Sequence, residues 1–315
     1  MSVYLCGDID PPELEGWLHH VRGALPEERI DTSLERLGAA SVDVALVANP
    51  PPGSLRGLSG LKLIQSLWAG VDRLLADVSL PLDVPLARMV DPSMSAAMAE
   101  TALWAVLSLH RGFFAYAQQQ RAFEWNVLPQ RRADELQVTV LGLGQLGSAV
   151  AARIAAQGYR VCGWRRGSNS PASAAVGVDV VEGQAVLAPL LATGDIVVNL
   201  LPLTDDTRGL FDARRFAAMK PGAALVNLAR GAQVVEADLL AALDAGPLSH
   251  AVLDVFASEP LPVSHPFWAH PRVTVLPHAA ALTDPRSAAA VVAANVRALR
   301  AGRPLAHTVE RARGY

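Results

Sequence analysis

Three charged side chains of different kinds each follow an apolar run of the type that forms a buried strand: Arg230, Glu259 and His278. Ligands of parallel α/β sheets bind at the carboxyl ends of the strands, so we expect these side chains to meet in one crevice. A guanidinium clamps a carboxylate and polarises the carbonyl beside it. An imidazole transfers protons near neutral pH, and a carboxylate hydrogen-bonded to it favours its protonated form. The set therefore suits reduction of a 2-keto acid, with His278 as proton donor.

Each of these residues also has a structural alternative. Arg230 would then form an interdomain salt bridge, Glu259 would be an exposed loop acid, and His278 would be a hydrogen-bonded structural histidine. The remaining histidines lie on helix-like stretches, in turns or near the surface, and their spacing fits no metal site. We therefore predict no bound metal.

A glycine-rich turn predicts the cofactor. The sequence Gly142-Leu143-Gly144-Gln145-Leu146-Gly147 stands between an apolar run and a helix-like stretch, which is the context that a dinucleotide-binding turn requires. The first glycine permits a tight turn, the second admits the pyrophosphate, and the third allows the helix to pack closely. Free N–H groups at the helix N-terminus would bind the phosphates. The alternative is a glycine-rich connection without a ligand.

The end of the next predicted strand favours NADPH over NADH. An NAD site usually carries an acidic residue at this point, whereas this chain has Trp164 followed by Arg165 and Arg166. A carboxylate would repel a 2′-phosphate, and a guanidinium grips it through two parallel hydrogen bonds. The alternative is a solvated arginine turn with weak selectivity.

The elements that must position these residues alternate between strands and helices. This order predicts an α/β fold with two Rossmann-like, doubly wound parallel-sheet domains and an active site in the cleft between them. We expect a substrate-binding domain at 1–95 plus 284–315 and a dinucleotide-binding domain at 96–283. Residues 94–121 read as one long helix, and a last helix at 285–300 is expected to return to the first domain. The predicted strands are 2–6, 42–48, 61–67, 84–87, 138–141, 160–163, 196–200, 223–227, 251–255 and 273–276.

Composition excludes several classes of protein. The 315 residues are 51% hydrophobic and 18% charged, which indicates large cores rather than disorder. The net charge of −3 argues against a nucleic-acid partner or a membrane surface. We find no secretory signal and no apolar run long enough for a membrane span, and the two cysteines fit a reducing compartment. We therefore expect a cytoplasmic protein.

Taken together and in order, these motifs resemble the D-2-hydroxyacid dehydrogenases, most closely their NADPH-dependent glyoxylate/hydroxypyruvate reductase branch. The resemblance runs over most of the chain. Its landmarks are 68–72, 142–147, 200–202, 227–231, 253–256 with 259–260, 277–278 and the C-terminal residues 310–315.

The resemblance implies roles for further residues and a homodimer in which the helix after residue 93 takes part. Backbone N–H groups of Ala69 and Gly70 would hold the carboxylate of a small 2-keto acid that Arg230 binds and polarises. Among the residues expected to contact the cofactor, Leu201 and Pro202 would lie on its adenosine side and Asp254 near its nicotinamide amide. The others are Gly142, Gly144, Gln145, Leu146, Gly147, Trp164, Arg165, Arg166 and Ala229.

Trp68 departs from the family pattern, in which a smaller residue is common. A ring at this position either narrows the pocket or turns away into the core. Two alternatives to glyoxylate or hydroxypyruvate reduction stay open: the same chemistry on a bulkier 2-keto acid, or a non-catalytic NAD(P)H-sensing binding protein. The complete set of Arg230, Glu259 and His278 argues against the sensing protein.

Overall fold

The computed structural model describes residues 2–167 and 176–314, and the chain divides into two compact units. Unit 1 comprises Met1–Met94 and Thr283–Tyr315, and unit 2 comprises Ser95–Leu282. Each unit contains one parallel sheet with helices, which confirms the predicted α/β fold class.

The sheet of unit 1 has five strands. They are β1 (Ser2–Gly7), β2 (Arg29–Asp31), β3 (Val42–Ala48), β4 (Leu63–Ser66) and β5 (Leu86–Ala87). All neighbours pair in parallel, in the order β2-β1-β3-β4-β5. Every residue of the central strand β3 is buried, which is why its sequence is almost continuously apolar.

The sheet of unit 2 has seven strands. They are β6 (Gln137–Leu141), β7 (Arg160–Arg165), β8 (Val178–Glu182), β9 (Ile196–Asn199), β10 (Ala224–Asn227), β11 (His250–Leu253) and β12 (Val273–Val275). Their order is β12-β11-β10-β9-β6-β7-β8, and all pairs are parallel. The carboxyl ends of β10, β11 and β12 are therefore side by side, and these are the strands that precede Arg230, Glu259 and His278.

The helices follow the strands in alternation. They are α1 (Pro11–Ala24), α2 (Leu34–Leu37), α3 (Asp72–Leu75), α4 (Pro92–His110), α5 (Phe113–Ala122), α6 (Gln145–Ala155), α7 (Leu187–Leu191), α8 (Ala213–Ala217), α9 (Glu236–Asp244) and α10 (Pro285–Arg300). The predicted last helix is present as α10, which packs against α1 in unit 1. Asp284 caps its N-terminus by accepting a hydrogen bond from the Arg286 amide, and proline stands at the first helical position.

The prediction of one helix over 94–121 is wrong, because the segment forms two helices, α4 and α5. The break falls at Gly112, which has a φ of 71° in the left-handed region. A residue in this conformation cannot continue a right-handed helix, and glycine adopts it without steric cost. Gly112 is the sequence signal that marks the break.

Two strands were missed by the sequence patterns. Strand β2 is only three residues long, and β8 has no fully buried residue. Both are edge strands of their sheets. An edge strand needs fewer apolar residues than a central one, so neither segment carries a clear apolar run.

None of the helices in residues 2–167 and 176–314 is both long and apolar enough to cross a membrane.

Candidate active site

His278 and Glu259 form a hydrogen-bonded pair in unit 2. The imidazole Nδ1 lies 2.7 Å from the Glu259 carboxylate oxygen Oε2. The second oxygen of that carboxylate accepts the backbone N–H of Phe256 at 2.9 Å, which fixes the acid beside the end of β11. Within the described part of the chain, Nε2 of His278 makes no hydrogen bond, and 51% of the side chain is exposed. The pair therefore presents one free ring nitrogen to a ligand.

The backbone at His278 is held in an unusual conformation by Asp254. His278 has a φ of 55°, in the left-handed region that costs a non-glycine residue ~1–3 kcal/mol. Its N–H donates to the Asp254 carbonyl at 2.9 Å. The buried Asp254 carboxylate accepts the next two amides, of Ala279 at 2.8 Å and Ala280 at 3.0 Å. These three bonds aim the imidazole toward Glu259.

Arg230 lies at the end of β10, beside the segment that leads to Glu259. The close approach depends on Gly231, because a Cβ there would lie 1.9 Å from the carbonyl carbon of Phe256. The Arg230 guanidinium donates to the carbonyl of Ala229 at 2.7 Å, and its charge acts on both Glu259 and His278. The structure thus brings the three predicted residues to one edge of the sheet.

The pKa shifts of His278 and Glu259 favour a protonated imidazole, the form that donates a proton. The hydrogen bond that the imidazole donates to Glu259 raises the pKa of His278 above its usual value, against burial and the Arg230 charge, which lower it. Burial alone would raise the pKa of Glu259, but the hydrogen bonds from His278 and the Phe256 amide, together with the nearby positive charges, lower it. Both shifts favour the charged pair, an imidazolium beside a carboxylate, over the neutral one.

We expect Glu259→Gln to shift the pH profile of keto-acid reduction. A proton donor is active while protonated, so the rate falls as pH rises through the pKa of His278. Because Glu259 raises that pKa, its removal moves the fall to lower pH. The check is kcat/KM for reduction measured across the pH range. Glu236→Gln serves as the matched control, because Glu236 also pairs with a histidine, His265, at 3.3 Å. An unchanged profile in Glu259→Gln would contradict this role.

The glycine turn has the geometry of a phosphate site. It joins β6 to α6, and Gly142 has a φ of 98°. A Cβ at Gly147 would lie 1.8 Å from the Gly142 carbonyl oxygen, whereas a Cβ at Gly144 would meet no atom within 4 Å. Only the middle glycine thus faces open space, next to the first residues of α6, Gln145 and Leu146. The turn fits a dinucleotide pyrophosphate approaching the helix N-terminus.

The two arginines after Trp164 both have acidic partners. Arg165 pairs with Glu182 of β8 at 2.5 Å, and Arg166 pairs with Asp206 at 2.9 Å. The second pair is largely exposed, so it contributes little and exchanges readily. Trp164 is 3% exposed, its Nε1 donates to the Gly183 carbonyl, and its own carbonyl accepts the Gly142 N–H, so the side chain packs as core beside the glycine turn.

The other expected cofactor residues lie at the ends of neighbouring strands. Leu201 and Pro202 follow β9, and Ala229 follows β10. The carbonyl of Leu200 would lie 2.8 Å from a Cβ at Gly142, so this loop borders the glycine turn. Asp254, expected near the nicotinamide amide, uses both carboxylate oxygens on backbone amides.

In unit 1, the loop Trp68–Ala69–Gly70 follows β4. The buried Ser66 hydroxyl accepts the Trp68 N–H and donates to the Trp68 carbonyl, both at 3.0 Å, which fixes the start of the loop. The Trp68 ring packs edge-on against the buried ring of Trp17, with centroids 6.2 Å apart. This contact favours the interpretation that Trp68 packs as core.

Sequence reasoning missed the buried amides beneath this site. Asn199 and Asn227 end two adjacent strands, and both are fully buried with Gln233. Amide side chains at the ends of apolar runs were the available signal. Among the described residues, no group of three or more potential ligands is arranged to hold a metal ion.

Comparison with known proteins identifies the family. The sequence model of the D-isomer specific 2-hydroxyacid dehydrogenase, NAD binding domain, matches residues 103–280. The chain belongs to the D-isomer specific 2-hydroxyacid dehydrogenase family. The match contains the glycine turn and the strand ends that carry Arg230, Glu259 and His278.

Relatives in this family match nearly the whole chain. The glyoxylate/hydroxypyruvate reductase A of Serratia proteamaculans is 41% identical over 306 residues, which are 96% of each protein. The fold is similar to a D-isomer specific 2-hydroxyacid dehydrogenase from Xanthobacter autotrophicus, solved with NADPH and MES (TM-score 0.93, 39% identity, 100% and 99% of the chains). It is also similar to an NADPH-dependent glyoxylate/hydroxypyruvate reductase from Sinorhizobium meliloti, solved with NADP and sulfate (TM-score 0.91, 35% identity, 100% of both chains).

Proposed function

We propose that this dehydrogenase reduces a small 2-keto acid, of the glyoxylate or hydroxypyruvate type, to the 2-hydroxy acid with NADPH. The observation that carries the proposal is the 2.7 Å hydrogen bond that His278 Nδ1 donates to the Glu259 carboxylate, which leaves Nε2 for the substrate. The names of the two reductases described above support the substrate class and the cofactor.

Each residue has one task in the reaction. The cofactor supplies a hydride to the keto carbon when it is bound. Arg230 binds the carboxylate of the substrate and polarises its carbonyl. His278 donates the Nε2 proton to the carbonyl oxygen, which becomes the hydroxyl group, and Glu259 stabilises the imidazolium before the transfer. The amides of Ala69 and Gly70 are proposed as further carboxylate donors, and Asp254 as a residue near the nicotinamide.

The glycine turn and the two arginines are proposed to bind the adenosine end of NADPH. Gly142, Gly144 and Gly147 with Gln145 and Leu146 would surround the pyrophosphate. For Arg165 and Arg166 to grip a 2′-phosphate, the dianion must compete with Glu182 and Asp206. The exposed Arg166 pair costs little to break, and a phosphate accepts two hydrogen bonds from one guanidinium.

We expect the double replacement Arg165→Ser and Arg166→Ser to weaken NADPH more than NADH. A charge-assisted hydrogen bond contributes ~1.5–3 kcal/mol, so the loss for NADPH is at least about tenfold in KM. The KM for NADH, which has no 2′-phosphate, should change much less. The control is Arg214→Ser with Arg215→Ser, an adjacent pair on α8. Equal losses for both cofactors would refute the phosphate grip.

One panel of assays tests the substrate class. NADPH oxidation is followed with glyoxylate, hydroxypyruvate, pyruvate and longer 2-keto acids. The proposal predicts the highest kcat/KM for glyoxylate or hydroxypyruvate. A preference for the longer acids would assign the same chemistry to a bulkier substrate, and NADPH binding without turnover of any acid would indicate a sensing protein.

We also propose a homodimer and a cytoplasmic location. Exposed aromatic residues follow α5: Phe123 and Trp125 are each 97% exposed. Large exposed apolar side chains close together mark interaction surfaces. The two cysteines, Cys6 and Cys162, are both free, as expected in a reducing compartment. Light scattering in solution tests the dimer, which a monomer mass would exclude.

A further inference from the structure

Three buried amide side chains form a network beneath Arg230. Asn199 ends β9, Asn227 ends β10, and Gln233 lies in the short 3-10 turn after Arg230. All three have no exposed surface. Asn199 Nδ2 donates to both partners, to Asn227 Oδ1 at 3.0 Å and to Gln233 Oε1 at 2.7 Å. A buried amide left without a hydrogen-bond partner destabilises the folded state. Displacing any one of the three side chains therefore costs free energy.

Gln233 connects two loops that belong to different parts of the site. Its Nε2 donates to the carbonyls of Leu201 at 3.1 Å and Pro202 at 3.0 Å. Its Oε1 accepts from Asn199 and from the Arg230 N–H, the latter at 3.3 Å. A carboxamide has two donor hydrogens and two acceptor sites, so all of its hydrogen-bonding capacity is used.

The backbone of Arg230 is held on both sides by the same network. Its N–H donates to Gln233, and its carbonyl accepts from Asn227 Nδ2 at 3.1 Å. The loop at Leu201 is held in the same way, since its N–H donates to Asn199 Oδ1 at 3.3 Å. A displacement of either loop would therefore break bonds that position the other.

We propose that Gln233 is a positioning residue that couples cofactor binding at the Leu201–Pro202 loop to keto-acid binding at Arg230. The inference rests on the proposed function, which places NADPH against this loop and the substrate carboxylate on Arg230. A cofactor that fixes the loop also fixes the Arg230 turn through Gln233. The keto acid then binds to an arginine that is already ordered, and by linkage it strengthens cofactor binding by the same factor.

The test measures this coupling directly with oxalate, which has a carboxylate beside a carbonyl group but accepts no hydride. The Kd of oxalate is measured by calorimetry with and without saturating NADPH, for the wild type and for Gln233→Met. Methionine preserves the length and most of the volume of the side chain but makes none of its four hydrogen bonds. We expect NADPH to tighten oxalate binding about tenfold in the wild type, a usual size for such coupling, and less than about threefold in Gln233→Met.

A control separates coupling from a general loss of stability. His250→Phe removes a buried hydrogen bond to Thr274, 2.9 Å long, at the start of β11 and keeps a ring stacked on Phe114. This variant should be less stable but should retain wild-type coupling. If Gln233→Met does not fold, Gln233→Asn tests the same connection, because its amide side chain is one methylene shorter and cannot bond both loops at once.

The outcomes distinguish this inference from the proposed function. Wild-type coupling that persists in Gln233→Met, or in Gln233→Asn, overturns the positioning role, as does a wild type in which NADPH leaves the Kd of oxalate unchanged. Failure of the proposed function gives a different result: the wild type binds NADPH, but none of the 2-keto acids supports its oxidation. Loss of coupling in Gln233→Met alone, with His250→Phe unchanged, supports the role.

Discussion

Replacing His278 with asparagine should lower the turnover number of keto-acid reduction about 10²–10⁴-fold, the usual contribution of a positioned acid. The imidazole is the proposed proton donor, and its hydrogen bond to Glu259 raises its pKa and so favours the protonated form. Asparagine is polar and smaller, and it has no titratable proton to donate. NADPH binding should be retained, since the glycine turn and the arginines lie on other strands. Steady-state turnover and NADPH affinity, measured on the same preparation, give the two quantities.

The matched control is His270→Asn. His270 also pairs with a carboxylate, that of Asp244, at 3.2 Å, but the proposal gives it no part in the reaction. Its turnover should stay close to that of the wild type. If His278→Asn turns over as fast as His270→Asn, His278 is not the proton donor.

Arg230→Lys should raise KM and lower kcat together, with kcat/KM reduced about 100-fold. Lysine keeps the positive charge but cannot offer two parallel N–H groups to a carboxylate while polarising the adjacent carbonyl. A lost hydrogen bond to a charged group costs ~1.5–3 kcal/mol, and the loss is felt both in the bound substrate and in the transition state. The measurement is the full dependence of the initial rate on keto-acid concentration at saturating NADPH.

Arg131→Lys is the control for this substitution. Arg131 forms an ion pair with Asp195 at 2.8 Å, and Asp195 precedes β9 at the opposite end of the strand from Asn199. The same change of side chain there should leave KM and kcat nearly unaltered. Near-normal kinetics in Arg230→Lys would mean that another group holds the carboxylate.

The placement of the chemistry was predictable because it depends on strand ends. In a parallel sheet, residues that follow successive buried strands are brought to one edge, so an apolar run followed by a charged residue carries spatial information. Arg230, Glu259 and His278 each satisfy this pattern. The glycine turn was predictable because its three glycines stand between an apolar run and a helix-like stretch. The structure gives the reason for two of them, since a Cβ at Gly142 or Gly147 would collide with the backbone.

The supporting contacts were not predictable, because they join residues far apart in the chain. Asp254 fixes the turn at His278 through backbone amides 25 and 26 residues away, and Gln233 bonds to a loop 31 and 32 residues earlier. Glu182, the partner of Arg165, lies on the unpredicted strand β8. Local patterns of polarity contain no information on such pairings, and an edge strand with exposed residues lacks the apolar run that would reveal it.

A crystal structure of the protein with NADPH and oxalate would show whether Arg230, Glu259 and His278 act together on a keto acid. We expect the Arg230 guanidinium and Nε2 of His278 within hydrogen-bond distance of oxalate oxygens, with the oxalate against the nicotinamide ring and Glu259 still bonded to Nδ1. Oxalate bound elsewhere, with the imidazole facing away from it and from the nicotinamide, would show that these three residues do not form the active site.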